Sequence, residues 1–353
     1  MPSPNNKTFT ELLNKASFGI EQGQAFVLYR KPMEHQIIGI FQSDARLNST
    51  IDFTESGFVF APFDFDEDAI LIRPDEVLIS SFEAEFGNQT SKIKVSEDGK
   101  EAHLELVKSG IEEIKKGNLQ KVVLSRTITI ARAKSHDAIF RDLLKSYPNA
   151  FCYLFYHPKV GMWCGATPET LVQIKARKLR TMSLAATLPI DDGNQPNWGS
   201  KEIEEQQMVS DYIQKRLGPK MDALKVANAE SFKAGKLWHL KSEITGTISA
   251  AINLKDVVKA LHPTPAVCGI PVESAQTFIT QQENYKRTFY TGFLGELNLW
   301  TQNELSLYVN LRCMELNANK ASIFAGGGIT LASEPEREWI ETQNKSRTML
   351  NIL

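Results

Sequence analysis

Residues 291–331, "TGFLGELNLWTQNELSLYVNLRCMELNANKASIFAGGGITL", decide the fold. Three apolar segments, 291–298, 305–316 and 320–331, read as consecutive strands with short polar links between them. Links that short join antiparallel neighbours, because a parallel pair needs a long crossover. The chain then turns helical in "ASEPEREWIETQNK" (332–345). Residues 1–95 carry the same signals. "AFVLYRK", "QIIGIFQ", "GFVFAPF" and "AILIRP" are short β-rich runs between polar or Pro-containing links. From 102 onward, helical patterns ("AHLELVKSGIEEIKKGN", "DAIFRDLLKSYPN", "SKEIEEQQMVSDYIQKRLGP", "IPVESAQTFITQQEN") alternate with strands such as "KVVLSRTITI", "FCYLFY" and "LWHLKSEITGTI". "KLRTMSLAATLP" reads as a strand pair. Hairpins with helices laid over them give an α+β fold with antiparallel sheets, not a doubly wound parallel sheet. No linker divides the 353 residues. Residues 1–95 are therefore expected to be a mainly β region of the same fold, and 96–353 the catalytic region.

Composition excludes several classes. The formal charge is −2 with no basic run, which gives no electrostatic case for nucleic acid or an anionic membrane. No apolar run is long enough to span a bilayer, and the polar start lacks a signal peptide's apolar core. Four scattered cysteines, with no C-x-x-C pair, fit a reducing cytoplasm better than a disulfide framework or zinc site. Neither G-x-G-x-x-G after a strand nor G-x-x-x-x-G-K-[ST] occurs, so a nucleotide loop is a poor reading.

Several residues could carry chemistry. Glu202 and Glu205 lie three apart on one expected helix, as do Glu338 and Glu341 on another. Each pair projects from one face, where like charges repel. The bland reading is a solvated face; the sharper one is a box of four carboxylates around a hard cation such as Mg²⁺. Thr167, Pro168 and Glu169 read as the start of a helix. Glu169 as a general acid would need desolvation or nearby carboxylates. Ser200 reads as a helix N-cap, and Ser333 and Pro335 as the last helix's start, with Glu336 completing a capping box. Lys121 opens a strand, where lysines are mostly solvated; as a base it would need burial. Arg312 lies inside an apolar strand and should meet a carboxylate. "FAGGGIT" offers bare backbone N–H groups as a carboxylate cradle. His262 in "LHPTPAV" either lines a pocket or is a satisfied turn histidine.

Taken in order, "KVVLSR", "GATPETL", "KEIEEQ", "HLKSEITG", "LHPTPAV", "YTGFLG", "LRCMEL", "AGGGI" and "SEPEREWIETQNK" resemble the chorismate-utilising enzymes. The likeness spans roughly 96–353 and is greatest to the family's isochorismate synthases. It implies two pseudo-symmetric antiparallel sheets packed together with outer helices, a four-layer αββα arrangement. It implies Glu205 and Glu341 as direct Mg²⁺ ligands, with Glu202 and Glu338 acting through water. Lys121 would activate water for attack at C2 of chorismate, and Glu169 would protonate the departing C4 hydroxyl. Arg312 and Tyr290 would hold the enolpyruvyl carboxylate, while Gly326, Gly328 and Lys345 contact a carboxylate near the ring. Thr187 matches the threonine of an A-G-T segment, and Ala186 stands where glycine is usual. Gln206 replaces a common histidine, and Cys268 a frequent glycine.

The resemblance also separates relatives. Anthranilate synthases lack a lysine at the position of Lys121. Aminodeoxychorismate synthases typically carry a nucleophilic lysine where this chain has Ala185. Water is therefore the expected nucleophile, isochorismate the expected product, and menaquinone or siderophore synthesis the expected use. A salicylate synthase, a glutaminase-partnered aminating subunit and a non-catalytic homologue are the alternatives. A monomer without a glutaminase partner is expected.

Overall fold

In the computed structural model, residues 4–64, 66–83, 93, 95–190, 196–234 and 237–353 are described. The chain begins with β1 (Asn5–Asn6), α1 (Phe9–Glu21), β2 (Phe26–Arg30), β3 (Gln36–Phe41) and β4 (Asn48–Thr50). β5 (Gly57–Ala61), β6 (Ala69–Ile72), β7 (Glu76–Ser81), α2 (Lys100–Lys115) and β8 (Lys121–Ala131) follow. Next come α3 (His136–Ser146), β9 (Phe151–His157), β10 (Gly161–Thr167), β11 (Thr170–Lys175) and β12 (Lys178–Pro189). α4 (Ser200–Leu217), β13 (Met221–Val226), β14 (Glu230–Ala234), β15 (Leu237–Ile248) and α5 (Leu254–Leu261) lead to β16 (Gly269–Ile270) and α6 (Val272–Gln282). The chain closes with β17 (Phe293–Leu297), β18 (Leu305–Val309), β19 (Cys313–Leu316), β20 (Lys320–Ile329) and α7 (Pro335–Leu350).

Two large sheets result. The first runs β1-β7-β3-β2-β9-β10-β19-β20-β8-β16. The second runs β13-β15-β12-β11-β18-β17-β5-β6-β4, with β14 on β15. Pairing is antiparallel apart from β1 on β7. Strand alternation explains the layering. Val27 and Tyr29 on β2 meet Phe58, Phe60 and Leu294 of the second sheet in an inner core. Phe26 and Leu28, pointing the other way, meet α1 and α3. On the second sheet's outer face, Val209 and Ile213 of α4 pack with Val257 and Leu261 of α5. Each such side chain contributes about 1.5–3 kcal/mol by leaving water. The order of layers is helix, sheet, sheet, helix.

The structure corrects several expectations. Residues 1–95 hold, besides β1–β7, a helix that the sequence reading did not give, α1. Thr8 caps α1 by accepting from the Glu11 N–H at 3.2 Å, while Glu11 accepts from the Thr8 N–H at 2.8 Å. "KLRTMSLAATLP" is one strand, β12, with a register shift between Ala185 and Leu188. The α4 N-cap is Gly199, not Ser200. The α7 N-cap is Glu334, and no capping box forms there. Ser333 instead accepts from the Thr330 N–H at 3.1 Å, and Glu336 pairs with Lys100 at 3.0 Å. All four cysteines are buried and unpaired. Among the described residues, no helix is long and apolar enough to cross a membrane.

Candidate active site

Two strand crossings build one wall of a cleft. β10 ends in the first sheet and β11 begins in the second, so Pro168 and Glu169 bridge the sheets. β18 ends in the second sheet and β19 begins in the first, so 310–312 cross back. The crossings are tied together: the Val309 N–H donates to the Glu169 carbonyl, and the Ala166 N–H to the Arg312 carbonyl, both at 3.0 Å. Two expectations fail here. Thr167-Pro168-Glu169 start no helix, and 305–316 is not one strand. The break is made by Asn310, fully buried, whose side chain accepts from the Tyr153 hydroxyl at 2.7 Å and donates to the Phe289 carbonyl at 2.8 Å. Those bonds satisfy polar groups where the ladder stops.

The crossing leaves Glu169 5% exposed. Burial pushes its carboxyl up to about 8, against weaker opposing pulls from Lys121, Lys345 and Arg312. Glu169 is therefore protonated at neutral pH and can donate. Arg312, at φ +47°, finds no carboxylate within ion-pair reach among the described residues. Its Nη1 donates to the Thr348 hydroxyl at 3.1 Å. Burial lowers its pKa. The expected carboxylate partner is absent from the protein side, which leaves guanidinium donors for an anion in the cleft.

The opposite wall is the glycine strand β20 with α4 and α7. A Cβ on Gly328 would stand 2.7 Å from Glu205 Oε1 and 2.9 Å from Lys121 Cε. One on Gly326 would stand 2.7 Å from the Leu124 carbonyl and 3.1 Å from the Tyr290 hydroxyl. These glycines let the acidic helices and Tyr290 approach bare backbone. Lys121 is 1% exposed and pairs with Glu205 at 2.7 Å, so it is not the solvated strand-start lysine that its position suggests. Burial alone would raise Glu205; Lys121 above all, with Lys345 and Lys201, more than reverses this and holds the carboxyl below its usual range. Glu341 pairs with Lys345 at 2.5 Å, and Lys345 also donates to the Gly326 carbonyl at 2.9 Å. Glu338 is buried and meets Lys201 at 3.4 Å; burial and then Glu341 raise its carboxyl. Glu202 folds back to accept from the Gly199 N–H at 3.1 Å.

Glu202, Glu205 and Glu341 thus line one cleft, while Glu338 is buried beside it and not among the lining residues; each carboxylate is held by a lysine or a helix terminus. Among the described residues, no three acidic, His or Cys side chains are gathered into a ready ligand cluster. The donor chemistry nevertheless fits a hard cation. All four side chains offer oxygen, and a Cβ on Gly327 would lie 3.3 Å from both Glu338 Oε2 and Glu341 Oε1, so these two oxygens converge on a stretch of strand that only bare backbone leaves clear.

A third element is the β12 bulge. Ala186 has φ +60°, is buried and lines the cleft beside Thr187. Its carbonyl is 2.9 Å from His239 Nδ1, and the Thr187 hydroxyl is 3.3 Å from the same nitrogen. Burial, then the Arg312 and Lys345 charges, lower His239 to about 3. The ring is neutral, with Nδ1–H assigned as donor to Ala186. Nε2 is buried without a hydrogen-bond partner among the described residues. Sequence reading missed His239, although it alternates with Leu237 on the buried face of β15. His262, expected as a substrate contact, is not among the residues lining the cleft. It is buried, with Nε2 3.2 Å from the Phe63 carbonyl and its ring edge-on to Phe293. Tyr290 does line the cleft, stacked on Phe324 with centroids 5.3 Å apart.

The left-handed backbone at Ala186 gives a prediction. Relief of strain in Ala186→Gly is worth about 1–2 kcal/mol, and greater unfolded-chain entropy offsets about half of that. Unfolding in urea should therefore show a change of less than about 1 kcal/mol. Ala186→Val, β-branched at positive φ, should lose about 1–3 kcal/mol. Equal losses in both variants would show that strain is not what the site carries.

A carboxyl held protonated near neutrality and a guanidinium with no carboxylate partner line one cleft, with a buried lysine behind its glycine strand, a set that suits an enzyme acting on a small anion. Comparison with known proteins narrows this. The family described as chorismate binding enzyme matches residues 70–353. The isochorismate synthase DhbC of Bacillus subtilis is 30% identical over 325 residues, 83% of this chain and 79% of that protein. A DhbC structure from Bacillus anthracis superposes with a TM-score of 0.81 at 24% identity, covering 97% of this chain and 98% of that one. MenF, the menaquinone-specific isochorismate synthase of Escherichia coli, gives a TM-score of 0.76 at 20% identity, covering 93% and 88%. The chain belongs to the chorismate-binding enzymes.

Proposed function

We propose that this enzyme is an isochorismate synthase, converting chorismate to isochorismate by adding water at C2 and expelling the C4 hydroxyl. The observation that carries the reading is that Glu169 lines the cleft and is held protonated near neutrality, while Lys121 lies directly behind Gly328 of the facing wall, buried and paired with Glu205. The sequence likeness to isochorismate synthases supports it. Lys121 takes a proton from water as the oxygen bonds to C2. The ring double bond shifts, and the C4–O bond breaks as Glu169 gives its proton to the leaving hydroxyl. One water enters and one leaves, so the product is an isomer. Fixing acid and base at separate points over the ring supplies much of the rate.

Arg312 and Tyr290 hold the enolpyruvyl carboxylate. Lys345 and the backbone at Gly326 and Gly328 hold the ring end, with Thr187 and Ala186 closing the cleft opposite. Glu205 and Glu341 would ligate Mg²⁺ directly, and Glu202 and Glu338 through water. When bound there, the cation supplies positive charge that anchors the ring carboxylate. The absence of a lysine at Ala185 supports water rather than an amine as nucleophile. The enzyme is read as a cytoplasmic monomer that works without a glutaminase, serving menaquinone or siderophore synthesis.

Chromatography of the products from chorismate and Mg²⁺ tests the reading. Isochorismate without pyruvate is expected, with turnover lost in chelator and restored by Mg²⁺. Salicylate with pyruvate would make the enzyme a salicylate synthase, and no turnover would overturn both.

A further inference from the structure

Behind the cleft wall lies a buried ion pair that the reaction itself does not use. Glu283, at the C-terminal end of α6, is 8% exposed, and Arg287 is 4% exposed. Arg287 Nε donates to Glu283 Oε2 at 2.8 Å, and Nη2 to Oε1 at 2.6 Å. Nη2 also donates to the Val123 carbonyl at 2.7 Å. Nη1 reaches the Val267 carbonyl at 3.0 Å and the Thr291 hydroxyl at 3.4 Å. All five guanidinium donors are thereby used. Glu283 Oε1 additionally accepts from the Ser125 N–H at 2.8 Å and the Ser125 hydroxyl at 2.7 Å.

The partners matter more than their number. Val123, Val267 and Thr291 come from three distant parts of the chain, and all three line the cleft. Val123 lies two residues from Lys121 on β8. Thr291 follows Tyr290, whose N–H donates to the Arg287 carbonyl at 2.8 Å. A buried ion pair is weak as a source of stability, because desolvation offsets its attraction. A rigid planar fork is, however, well suited to setting the spacing of three backbone segments.

We propose that Glu283–Arg287 is a positioning clamp that fixes the spacing of the walls carrying Lys121 and Tyr290; its kinetic consequence rests on the chorismate reading above. Lysine in place of Arg287 keeps the charge but has no fork to span three carbonyl and hydroxyl partners. In the full chain, Arg287→Lys should fold cooperatively and lose about 100-fold in kcat/KM for chorismate, the scale of a misplacement of about 1 Å. Hydrogen exchange should quicken in 121–126, 264–268 and 288–293. As a control, Lys31→Met breaks a 2.6 Å pair with Glu296 outside the cleft lining. It should lower the melting temperature while leaving kcat/KM and exchange in those segments unchanged. Arg287→Lys that melts lower but keeps both readouts would overturn the clamp. If that variant does not fold, Glu283→Gln, which keeps the size and one acceptor, is judged by the same two readouts. Wild-type protein that does not turn over chorismate would overturn the functional reading, while exchange still decides the clamp.

Discussion

Lys121→Ala is expected to lose turnover of chorismate by about 100- to 10,000-fold, the range that positioned proton transfer contributes, while keeping its fold. The lysine is 1% exposed and closes onto Glu205 at 2.7 Å. In the proposed reaction Glu205 has two duties, pairing with Lys121 and ligating the cation. With Glu205 holding the cation, Lys121 would lose the carboxylate that stabilises its ammonium form, and as a neutral amine, its own proton given up to solvent, it could take a proton from the attacking water. Alanine removes the base and also an ammonium that competes with a cation for Glu205. The two effects separate in measurement. Steady-state rates should collapse, yet titration with Mg²⁺ should show binding no weaker than wild type. Glu205→Gln should instead weaken Mg²⁺ binding. If Lys121→Ala turns over normally, the base is misassigned. If it loses Mg²⁺ binding along with activity, the lysine supports the site's structure instead.

What the sequence made legible follows from the range of the interactions involved. Helices with strong apolar spacing, such as α2 and α6, and long β-branched strands, such as β8 and β20, are fixed by local pattern. The acidic pairs on α4 and α7 were visible through spacing and family likeness. The sheet crossings were not. "LSLYVNLRCMEL" is uniformly strand-like, and its division depends on Asn310 meeting Tyr153 and Phe289, which come from outside that stretch. "TPE" resembles a helix start because Thr, Pro and Glu favour that position locally. Here Val309, far along the chain, takes the Glu169 carbonyl and prolongs the sheet. α1 is a different kind of omission. Its T-x-x-E capping box stood in the sequence, but the polar opening masks the buried stripe of Leu12, Leu13 and Ala16. The lysine partners of the acidic pairs were partly legible: Lys345 is four residues from Glu341, whereas Lys121 reaches Glu205 only through the fold.

Glu169→Gln is expected to lower isochorismate formation by about 100- to 10,000-fold, because glutamine keeps the size but has no acidic proton. The pH dependence makes the test specific. Glu169 titrates at about 8 in the folded protein against an ordinary 4.5. The donating form is present below about pH 8, so wild-type activity should fall as pH rises through that value. Residual activity of the variant should not follow that limb. Stability must change with the same sign. Below pH 4.5 the carboxyl is protonated in both folded and unfolded chains. Between 4.5 and about 8 the unfolded chain ionises while the folded chain keeps its proton, so stability declines with rising pH across that window. Above about 8 the contribution is level. A tenfold difference in proton affinity between the folded and unfolded chains corresponds to about 1.4 kcal/mol, so the accumulated cost at pH 9 is on the order of a few kcal/mol. Glutamine has no such cost. In urea unfolding at pH 5, 7 and 9, Glu169→Gln should therefore gain on wild type as pH rises. Parallel stability curves with an unchanged alkaline limb of activity would mean that Glu169 is not the proton donor. Loss of activity with the predicted crossover in stability would tie the donor's chemistry to the burial imposed by the β10–β11 crossing.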